Sequence, residues 1–259
     1  MTDELLYEIQ DGIGRVTFNR PAQRNAFTFA MYERLAEVCD EIETDRRVKA
    51  LILTGAGDKA FAAGTDISQF RAFKTPEDAL TYEARIDRVL GALERCRVPT
   101  IAAIVGACTG GGAGIAACCD IRIATASARY GFPIARTLGN CLSTGNYARL
   151  AALIGPARVK EMIFLAKLVE AEDAKAIGLV SEVWDSQETL LARALEMAKI
   201  VAGHAPLTLR ATKEAIRRIS QKMRLEEEKD LILMCYMSDD FREGMEAFLN
   251  KREPVWQGK

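Results

Sequence analysis

The sequence predicts an α/β fold built on a largely parallel sheet, with a helical region at its end. Short apolar runs typical of buried strands alternate with segments whose apolar residues recur at helical spacing. Two of these runs end in clusters of Gly and Ala, which are typical of turns between strands and helices. Strands dominate up to about Trp184, and helical patterns dominate afterwards. Alternation of strands and helices favours parallel pairing.

The first elements follow from local patterns. Leu5–Ile9 and Ile13–Phe18 alternate apolar and polar residues around a Gly-containing turn, which predicts a β-hairpin. From Thr28 to Glu43 apolar residues recur at helical spacing, and Thr28 is a suitable N-cap. Val48–Thr54 is rich in β-branched and aliphatic residues and predicts a buried strand.

The remaining elements extend this pattern to the end of the chain. Lys74–Glu77 is typical of a helix start, and Tyr82–Cys96 predicts an amphipathic helix. Further strands are predicted at Pro99–Ile104, Ile121–Ala124 and Leu179–Trp184; an irregular segment at Tyr130–Gly145; and helices at Asn146–Ile154, Ala157–Leu165 and Val169–Gly178. From Thr189 onward the pattern is helical, with breaks at Gly203–Pro206 and near Met237–Asp240. We therefore expect a core over residues 1–190 and a helical region over residues 191–259.

Composition narrows the class of protein. The chain has 259 residues, 49% of them apolar and 27% charged, and its net charge is −1. This balance is ordinary for a globular protein and does not favour nucleic-acid or membrane partners. Seven cysteines without metal-ligand spacing indicate a reducing compartment and no metal site. No signal peptide and no membrane-spanning run of about 20 apolar residues is present, so we expect a cytoplasmic protein.

Two Gly- and Ala-rich turns are the ligand-binding site that the residues alone predict. They lie at Gly55–Asp66 and Gly106–Gly112, each after a predicted buried strand. Ligands of open α/β sheets bind beyond the carboxyl ends of strands. Two backbone N–H groups that converge there would form an oxyanion hole for a carbonyl oxygen. Dinucleotide-binding, P-loop and nucleophile-elbow motifs are absent, and a catalytic triad would depend on His204, the one histidine, in a loop.

A set of collinear motifs resembles the crotonase (enoyl-CoA hydratase/isomerase) superfamily from about Leu5 to Trp256. The matching pieces are Asn19-Arg20-Pro21, Asn25-Ala26, Phe61–Ile67, Gly106 with Gly110–Gly112, Cys119–Arg122, Glu172–Val180, Pro206, Thr212-Lys213, and Gly244 with Phe248 and Lys251-Arg252. The resemblance implies a spiral of ββα units, a helical C-terminal trimerisation region, and homotrimers that usually pair into hexamers. The implied substrate is an acyl-CoA thioester, with no cofactor beyond its CoA moiety.

The resemblance also implies roles for individual residues. The backbone N–H groups of Thr65 and Gly111 match the oxyanion donors of the family, although Ala is common at the position of Thr65. The matching CoA-binding positions are Arg24, Ala26, Ala63, Asp66 and Ile67, with Phe248 and Lys251 reaching the CoA of a neighbouring subunit. An equally simple interpretation of Lys251-Arg252 is a solvated charged tail.

The chain departs from the hydratase pattern of that family at two positions. A hydratase has a glutamate just after the glycines, where this chain has Gly114. Its second glutamate would align with Ile134 or Ala135, after Tyr130–Pro133. Because none of these side chains can exchange a proton, ordinary two-glutamate hydration is not expected.

Other residues are candidates for the reaction itself. Arg136 could bind a substrate carboxylate, and Asn140 and Ser143 could orient a water or an enolate. The Cys141 thiol has no evident base and is interpreted as a spectator. Glu83 or Asp87 could replace the missing base, although a solvated helix face is the simpler interpretation of both.

The function predicted from these observations is decarboxylation, isomerisation or C–C bond chemistry on an acyl-CoA, by a lyase or isomerase that stabilises a thioester enolate. Two alternatives stay open: a catalytically silent CoA-binding protein, and an acyl-CoA thioesterase that activates water in the 136–144 loop.

Overall fold

The computed structural model describes residues 4–222 and 228–259, and these residues form ten β-strands. The strands are β1 (Leu5–Gln10), β2 (Ile13–Phe18), β3 (Ala50–Gly55), β4 (Ala60–Ala62), β5 (Thr100–Ile104), β6 (Ala107–Thr109), β7 (Ile121–Thr125), β8 (Arg129–Gly131), β9 (Val169–Glu170) and β10 (Glu182–Trp184).

The same residues form eleven α-helices. The helices are α1 (Phe29–Thr44), α2 (Pro76–Arg95), α3 (Gly111–Cys118), α4 (Ile134–Thr137), α5 (Thr144–Ile154), α6 (Pro156–Phe164), α7 (Ala171–Ala176), α8 (Gln187–Ala202), α9 (Pro206–Gln221), α10 (Lys229–Tyr236) and α11 (Asp239–Leu249). Short 3₁₀ segments cover Pro21–Gln23 and Ile67–Ala72. None of the helices within the described residues is long and apolar enough to cross a membrane.

Two sheets alternate along the chain. The larger sheet has the strand order β1-β2-β3-β5-β7-β10, antiparallel between β1 and β2 and parallel elsewhere. The smaller sheet has the order β4-β6-β8-β9. The groups β3-β4-α2, β5-β6-α3 and β7-β8-α4 each place one strand in the larger sheet and the next in the smaller one. This repetition confirms the predicted spiral of ββα units.

The two faces of the larger sheet have separate hydrophobic cores. On one face, side chains of α8 pack against those of β2, β3, β5 and β7; the α8 residues are Leu190, Ala194 and Ala198. On the other face lies the main core, which includes residues of the smaller sheet and of helices α1, α2, α3 and α5. Strands buried on both faces read as continuous apolar runs, which is why β3 and β5 were predictable.

The structure confirms the predicted hairpin and the predicted start of helix α1. The hairpin forms with Leu5 opposite Phe18, and the Thr28 hydroxyl accepts a hydrogen bond from the Met31 N–H at 3.3 Å at the start of α1. The predicted helix start at Lys74–Glu77 belongs to the same helix as Tyr82–Cys96. Thr75 and Asp78 form a capping box that begins this single helix, α2.

The division into residues 1–190 and 191–259 stays a prediction; its boundary lies inside α8, whose Leu190 and Ala194 pack on the sheet. Two other predictions are corrected. Val169–Gly178 begins with strand β9 rather than a helix, because Val169 pairs with Tyr130. The segment 130–145 is less irregular than predicted, since it contains part of β8, the short helix α4 and the start of α5.

Candidate functional site

The two Gly- and Ala-rich turns meet at the carboxyl ends of β4 and β6. These strands are parallel neighbours in the smaller sheet, so the segments that follow them lie side by side. Gly64 and Gly110 have φ values of 108° and 52°, and a Cβ on Gly110 would lie 3.4 Å from the Gly64 Cα. The left-handed backbone at both positions favours glycine, and the absence of side chains lets the turns touch.

Each turn presents a backbone N–H group with no internal acceptor. Gly111 is the first residue of α3, where an N–H has no partner within the helix. Thr65 follows Gly64, whose carbonyl accepts from the Phe27 N–H at 2.8 Å. Among residues 4–222 and 228–259, neither the Thr65 N–H nor the Gly111 N–H donates to a protein acceptor. Two such donors on touching turns can bind the oxygen of a carbonyl or an enolate.

Three hydroxyl groups, the hydroxyl chain Tyr32–Thr65–Tyr82, line this position; both tyrosines are buried and Thr65 is half-buried. The Thr65 Oγ1 lies 2.9 Å from the Tyr32 Oη and 3.0 Å from the Tyr82 Oη. A Cβ on Gly111 would overlap the Tyr32 hydroxyl oxygen, so that hydroxyl lies against the start of α3. Burial raises the pKa of both phenols, which therefore stay neutral hydrogen-bonding groups.

Aromatic rings surround the Tyr82 end of the hydroxyl chain. The Tyr82 ring lies 5.0 Å from the Phe70 ring and 6.2 Å from the Tyr236 ring, measured between centroids. Tyr236 in turn packs 4.8 Å from Phe241. These rings come from the 3₁₀ segment at 67–72, from α2, from α10 and from α11, so the region beside the turns is assembled from distant parts of the chain.

A carboxylic acid lies inside this aromatic region. Glu83, on α2, is 6% exposed, and the Tyr236 hydroxyl donates to its Oε1 at 2.5 Å. The Asn140 side-chain amide donates to the Tyr236 oxygen at 3.2 Å. We call these three residues the Glu83 cluster. The interpretation of Glu83 as part of a solvated helix face is therefore wrong, because α10 covers it.

Ser143 belongs to a second buried group, the polar network of Asp87, Glu94, Ser143, Asn146 and Arg149. The Ser143 hydroxyl caps α5 by accepting from the Asn146 N–H, and it donates to the Asp87 carboxylate at 2.9 Å. Asp87, with its side chain 34% exposed, lies at the edge of this network. Gly114, on α3, faces the same network: a Cβ there would lie 3.7 Å from the Asn146 Oδ1.

The predicted CoA-binding positions come together along one edge. The Ala63 N–H donates to the Arg24 carbonyl at 3.0 Å, and the Asp66 N–H donates to the Phe27 carbonyl at 2.8 Å. Arg20 joins the two segments by donating to the Ala26 carbonyl and to the Asp66 carboxylate. Ile67 begins the 3₁₀ segment that follows. Segments 24–27 and 63–67 thus form a continuous border beside the two turns.

Three other predicted residues lie apart from the buried groups. Arg136 is on α4, with an exposed side chain. Phe248, near the end of α11, is 51% exposed, and Lys251 just beyond the helix is also exposed. A carboxylate bound by Arg136 would therefore lie at the protein surface rather than in the Glu83 cluster.

Cysteine residues within the described ranges form neither disulfides nor a metal site. The Cys141 thiol donates to the Leu231 carbonyl at 3.5 Å and is hydrogen-bonded to the Cys235 thiol. That hydrogen bond and burial raise the pKa of Cys141, which keeps it a thiol near neutral pH. This agrees with its interpretation as a spectator.

Comparison with known proteins identifies the family of this chain. Residues 8–259 match the family model described as enoyl-CoA hydratase/isomerase. The chain belongs to the enoyl-CoA hydratase/isomerase family. The short-chain-enoyl-CoA hydratase of Clostridium acetobutylicum is 36% identical over 97% of this chain and 96% of that protein. The 2,3-dehydroadipyl-CoA hydratase of Escherichia coli is 33% identical over 99% of both chains.

A solved structure of the same family agrees with the fold. A crystal structure described as an enoyl-CoA hydratase/carnithine racemase from Magnetospirillum magneticum matches with a TM-score of 0.81. The two sequences are 33% identical, and the match covers 100% of this chain and 97% of that one. The crotonase-type architecture predicted from the sequence motifs is thereby confirmed.

Three tyrosines at this site were not predictable from the sequence patterns. Tyr32 and Tyr82 lie on the apolar faces of α1 and α2, where they were indistinguishable from core residues. Tyr236 lies 153 residues after its partner Glu83. A tyrosine on an apolar helix face is the one available indication, because a buried Tyr hydroxyl usually has a hydrogen-bond partner.

Proposed function

We propose that this protein binds an acyl-CoA thioester and stabilises its enolate with the backbone N–H groups of Thr65 and Gly111. The observation that carries this proposal is the pair of N–H groups without acceptors on the touching turns at Gly64 and Gly110. Donors of this kind, fixed before the substrate arrives, stabilise developing negative charge without reorganisation. Membership of the family and the names of two relatives, both hydratases of CoA thioesters, support the substrate class.

The border formed by residues 24–27 and 63–67 is the proposed site for the adenine and pantetheine of CoA. Its exposed member Arg24 has φ 50°, which turns the chain back toward Ala63. Phe248 and Lys251 are proposed to contact the CoA of a neighbouring subunit in a homotrimer or a hexamer. Their exposure at the end of α11 supports this role, since it leaves both side chains accessible to a second chain.

The proposed reaction is not two-glutamate hydration. Glycine occupies position 114, and either the buried Ile134 or the exposed Ala135 occupies the second position at which the resemblance to the family's hydratases implies a glutamate. Addition of water to a conjugated thioester needs a positioned acid and base, and each contributes about 10²–10⁴-fold. Decarboxylation, isomerisation or C–C bond chemistry needs the enolate but not that pair of carboxylates.

The test compares this protein with a relative in the same assay. We expect crotonyl-CoA hydration, followed by loss of enoyl-thioester absorbance, to be at least about 100-fold slower than with the Clostridium acetobutylicum hydratase. Butyryl-CoA should nevertheless bind in calorimetry. A panel of malonyl-type and cyclic acyl-CoA thioesters is then incubated with the protein, and the substrate is the thioester whose concentration falls. Crotonyl-CoA hydration at the rate of the relative would contradict the proposed reaction.

The position of the Tyr32 hydroxyl favours a second candidate, a CoA-binding protein without turnover. This hydroxyl lies against Gly111, where a bound carbonyl oxygen would have to approach. Binding of butyryl-CoA with no reaction of any thioester in the panel would support that candidate.

A further inference from the structure

The Glu83 carboxyl is a buried acidic group on the helix that also carries Tyr82 of the hydroxyl chain. It is on α2, 6% exposed, directly after Tyr82 of the hydroxyl chain. In the described part of the chain no Lys or Arg forms an ion pair with it, and its hydrogen-bond partner is the Tyr236 hydroxyl. Glutamate is rarely buried without a cation, so its burial here calls for a functional explanation.

The surroundings of Glu83 allow both protonation states near neutral pH. Burial, reinforced by the negative charges of Asp87 and Glu228, raises the pKa of Glu83 to about 8, and the Tyr236 hydrogen bond opposes this change. The other titratable groups that interact with Glu83 are Tyr32 on α1, Tyr82 on α2, Cys141 in the loop before α5, and Tyr147 on α5. All of these are neutral below pH 8, so within residues 4–222 and 228–259 none of them offsets the burial of the carboxylate with positive charge.

Geometry connects this carboxyl to the two turns. Tyr82, the neighbour of Glu83 in α2, bonds to Thr65 at 3.0 Å, and the Tyr82 ring packs on the ring of Tyr236. The Asn140 side-chain oxygen is buried without a hydrogen-bond partner in the described structure, although its amide group donates to Tyr236. An acid and an unused acceptor therefore contact Tyr236, whose ring packs on Tyr82, and Tyr82 in turn is hydrogen-bonded to Thr65.

We propose that Glu83 is the catalytic acid–base group of this enzyme, transferring the proton at the carbon next to the thioester carbonyl. This rests on the proposed function. The carboxylate takes the proton from that carbon, the C–H bonding pair forms the enolate double bond, and the carbonyl π pair moves onto the oxygen held by Thr65 and Gly111. Return of the proton from Glu83 to carbon reverses the step. Tyr236 is a positioning residue, since its hydroxyl orients the carboxyl.

The experiment measures exchange of the α-hydrogens of butyryl-CoA with deuterium in D₂O by NMR. Exchange needs only the oxyanion donors and the base, so the physiological acyl group need not be known. We expect exchange by the wild-type protein and at least about 100-fold slower exchange by Glu83→Gln, with butyryl-CoA binding unchanged within about threefold. The control Glu77→Gln, an exposed glutamate on the same helix, should exchange at the wild-type rate.

The pH profile separates an acid–base role from a structural one. Exchange needs the deprotonated carboxyl. The exchange rate should therefore increase with pH and level off above the pKa, with the midpoint of the increase near pH 8. Tyr236→Phe removes a hydrogen bond that stabilises the carboxylate, so its midpoint should move to higher pH. Glu83→Asp should keep a pH-dependent rate, and this variant also serves if the Gln variant does not fold.

The outcomes distinguish the two proposals. Exchange by Glu83→Gln at the wild-type rate, or a profile unchanged in Tyr236→Phe, would overturn the role of Glu83 and leave the acyl-CoA function standing. Wild-type protein that binds butyryl-CoA without exchange would also overturn it, in favour of the silent CoA-binding candidate. Failure to bind butyryl-CoA would reject the proposed function and the role of Glu83 with it.

Discussion

A single hydroxyl group, that of Thr65, links two buried tyrosines from different helices. Tyr32 on α1 and Tyr82 on α2 both have their phenol oxygens within 3.0 Å of the Thr65 Oγ1. Only the side chain takes part, so the Thr65 N–H remains available to a ligand. The residue thus combines a structural role of its side chain with the proposed catalytic role of its backbone.

Replacing Thr65 with Val should lower the free energy of unfolding by about 1–3 kcal/mol, because two buried phenols lose their hydrogen-bond partner. Thr65→Ser, which keeps the hydroxyl, should change it by less than about 1 kcal/mol. Urea denaturation of the wild type and both variants measures the difference. Equal stability of the Val variant and the wild type would show that these hydrogen bonds make no net contribution to the free energy of unfolding.

At the scale of elements, α2 and α5 are joined by the polar network rather than by apolar packing alone. The Arg149 guanidinium donates to the Glu94 carboxylate at 2.6 and 3.1 Å and to the Asn146 side chain at 3.2 Å. The side chains of Arg149 and Glu94 are 4% and 14% exposed. Because α2 also carries Glu83 and Tyr82, this ion pair holds the helix on which the proposed acid–base group lies.

Arg149→Met should destabilise the protein by about 3–5 kcal/mol, because it removes the guanidinium that forms two buried hydrogen bonds with the Glu94 carboxylate. The matched control is Arg15→Met, which removes an ion pair with Glu8 whose side chains are 50% and 61% exposed. That change should cost less than about 1 kcal/mol. Thermal and urea denaturation of both variants provide the comparison, and similar losses in both would contradict the role assigned to the network.

At the scale of the whole molecule, α9 lies outside the core of the single chain. None of its residues is buried, and Leu207, Ile216 and Ile219 are 79%, 61% and 62% exposed. Lys213 connects this helix to the residue before β7, because its ammonium group donates to the Asp120 carboxylate at 2.7 Å. Large exposed apolar side chains on one helix are typical of an interface. They favour the proposed oligomer, in which a second chain would cover them.

The double substitution Ile216→Glu with Ile219→Glu should convert the oligomer to monomers, because it places charge in the proposed interface. Light scattering should then give the mass of one chain, 28.5 kDa, in place of a trimer or a hexamer. Lys222→Glu, an exposed charge reversal just past the end of α9, is the control and should leave the mass unchanged. A wild-type mass of one chain would reject the oligomer.

The sequence alone determined the features that local or collinear patterns encode. The hairpin, the Thr28 cap, the buried strands and the family motifs each depend on residues close together in the chain, so their signals survive without tertiary information. The turns at Gly64 and Gly110 were identifiable for the same reason. The short strands β4, β6, β8 and β9 were not, because segments of two or three residues have no periodicity to detect.

Only the tertiary structure decided the state of Glu83. In the sequence it lies next to Tyr82 at the border of the apolar face of α2, where a glutamate usually meets solvent. Its burial depends on α10, which brings Tyr236 onto the carboxyl from 153 residues away. A side chain's solvation, and hence its pKa, is set by whatever packs over it, and no local pattern specifies a contact between elements so distant in the chain.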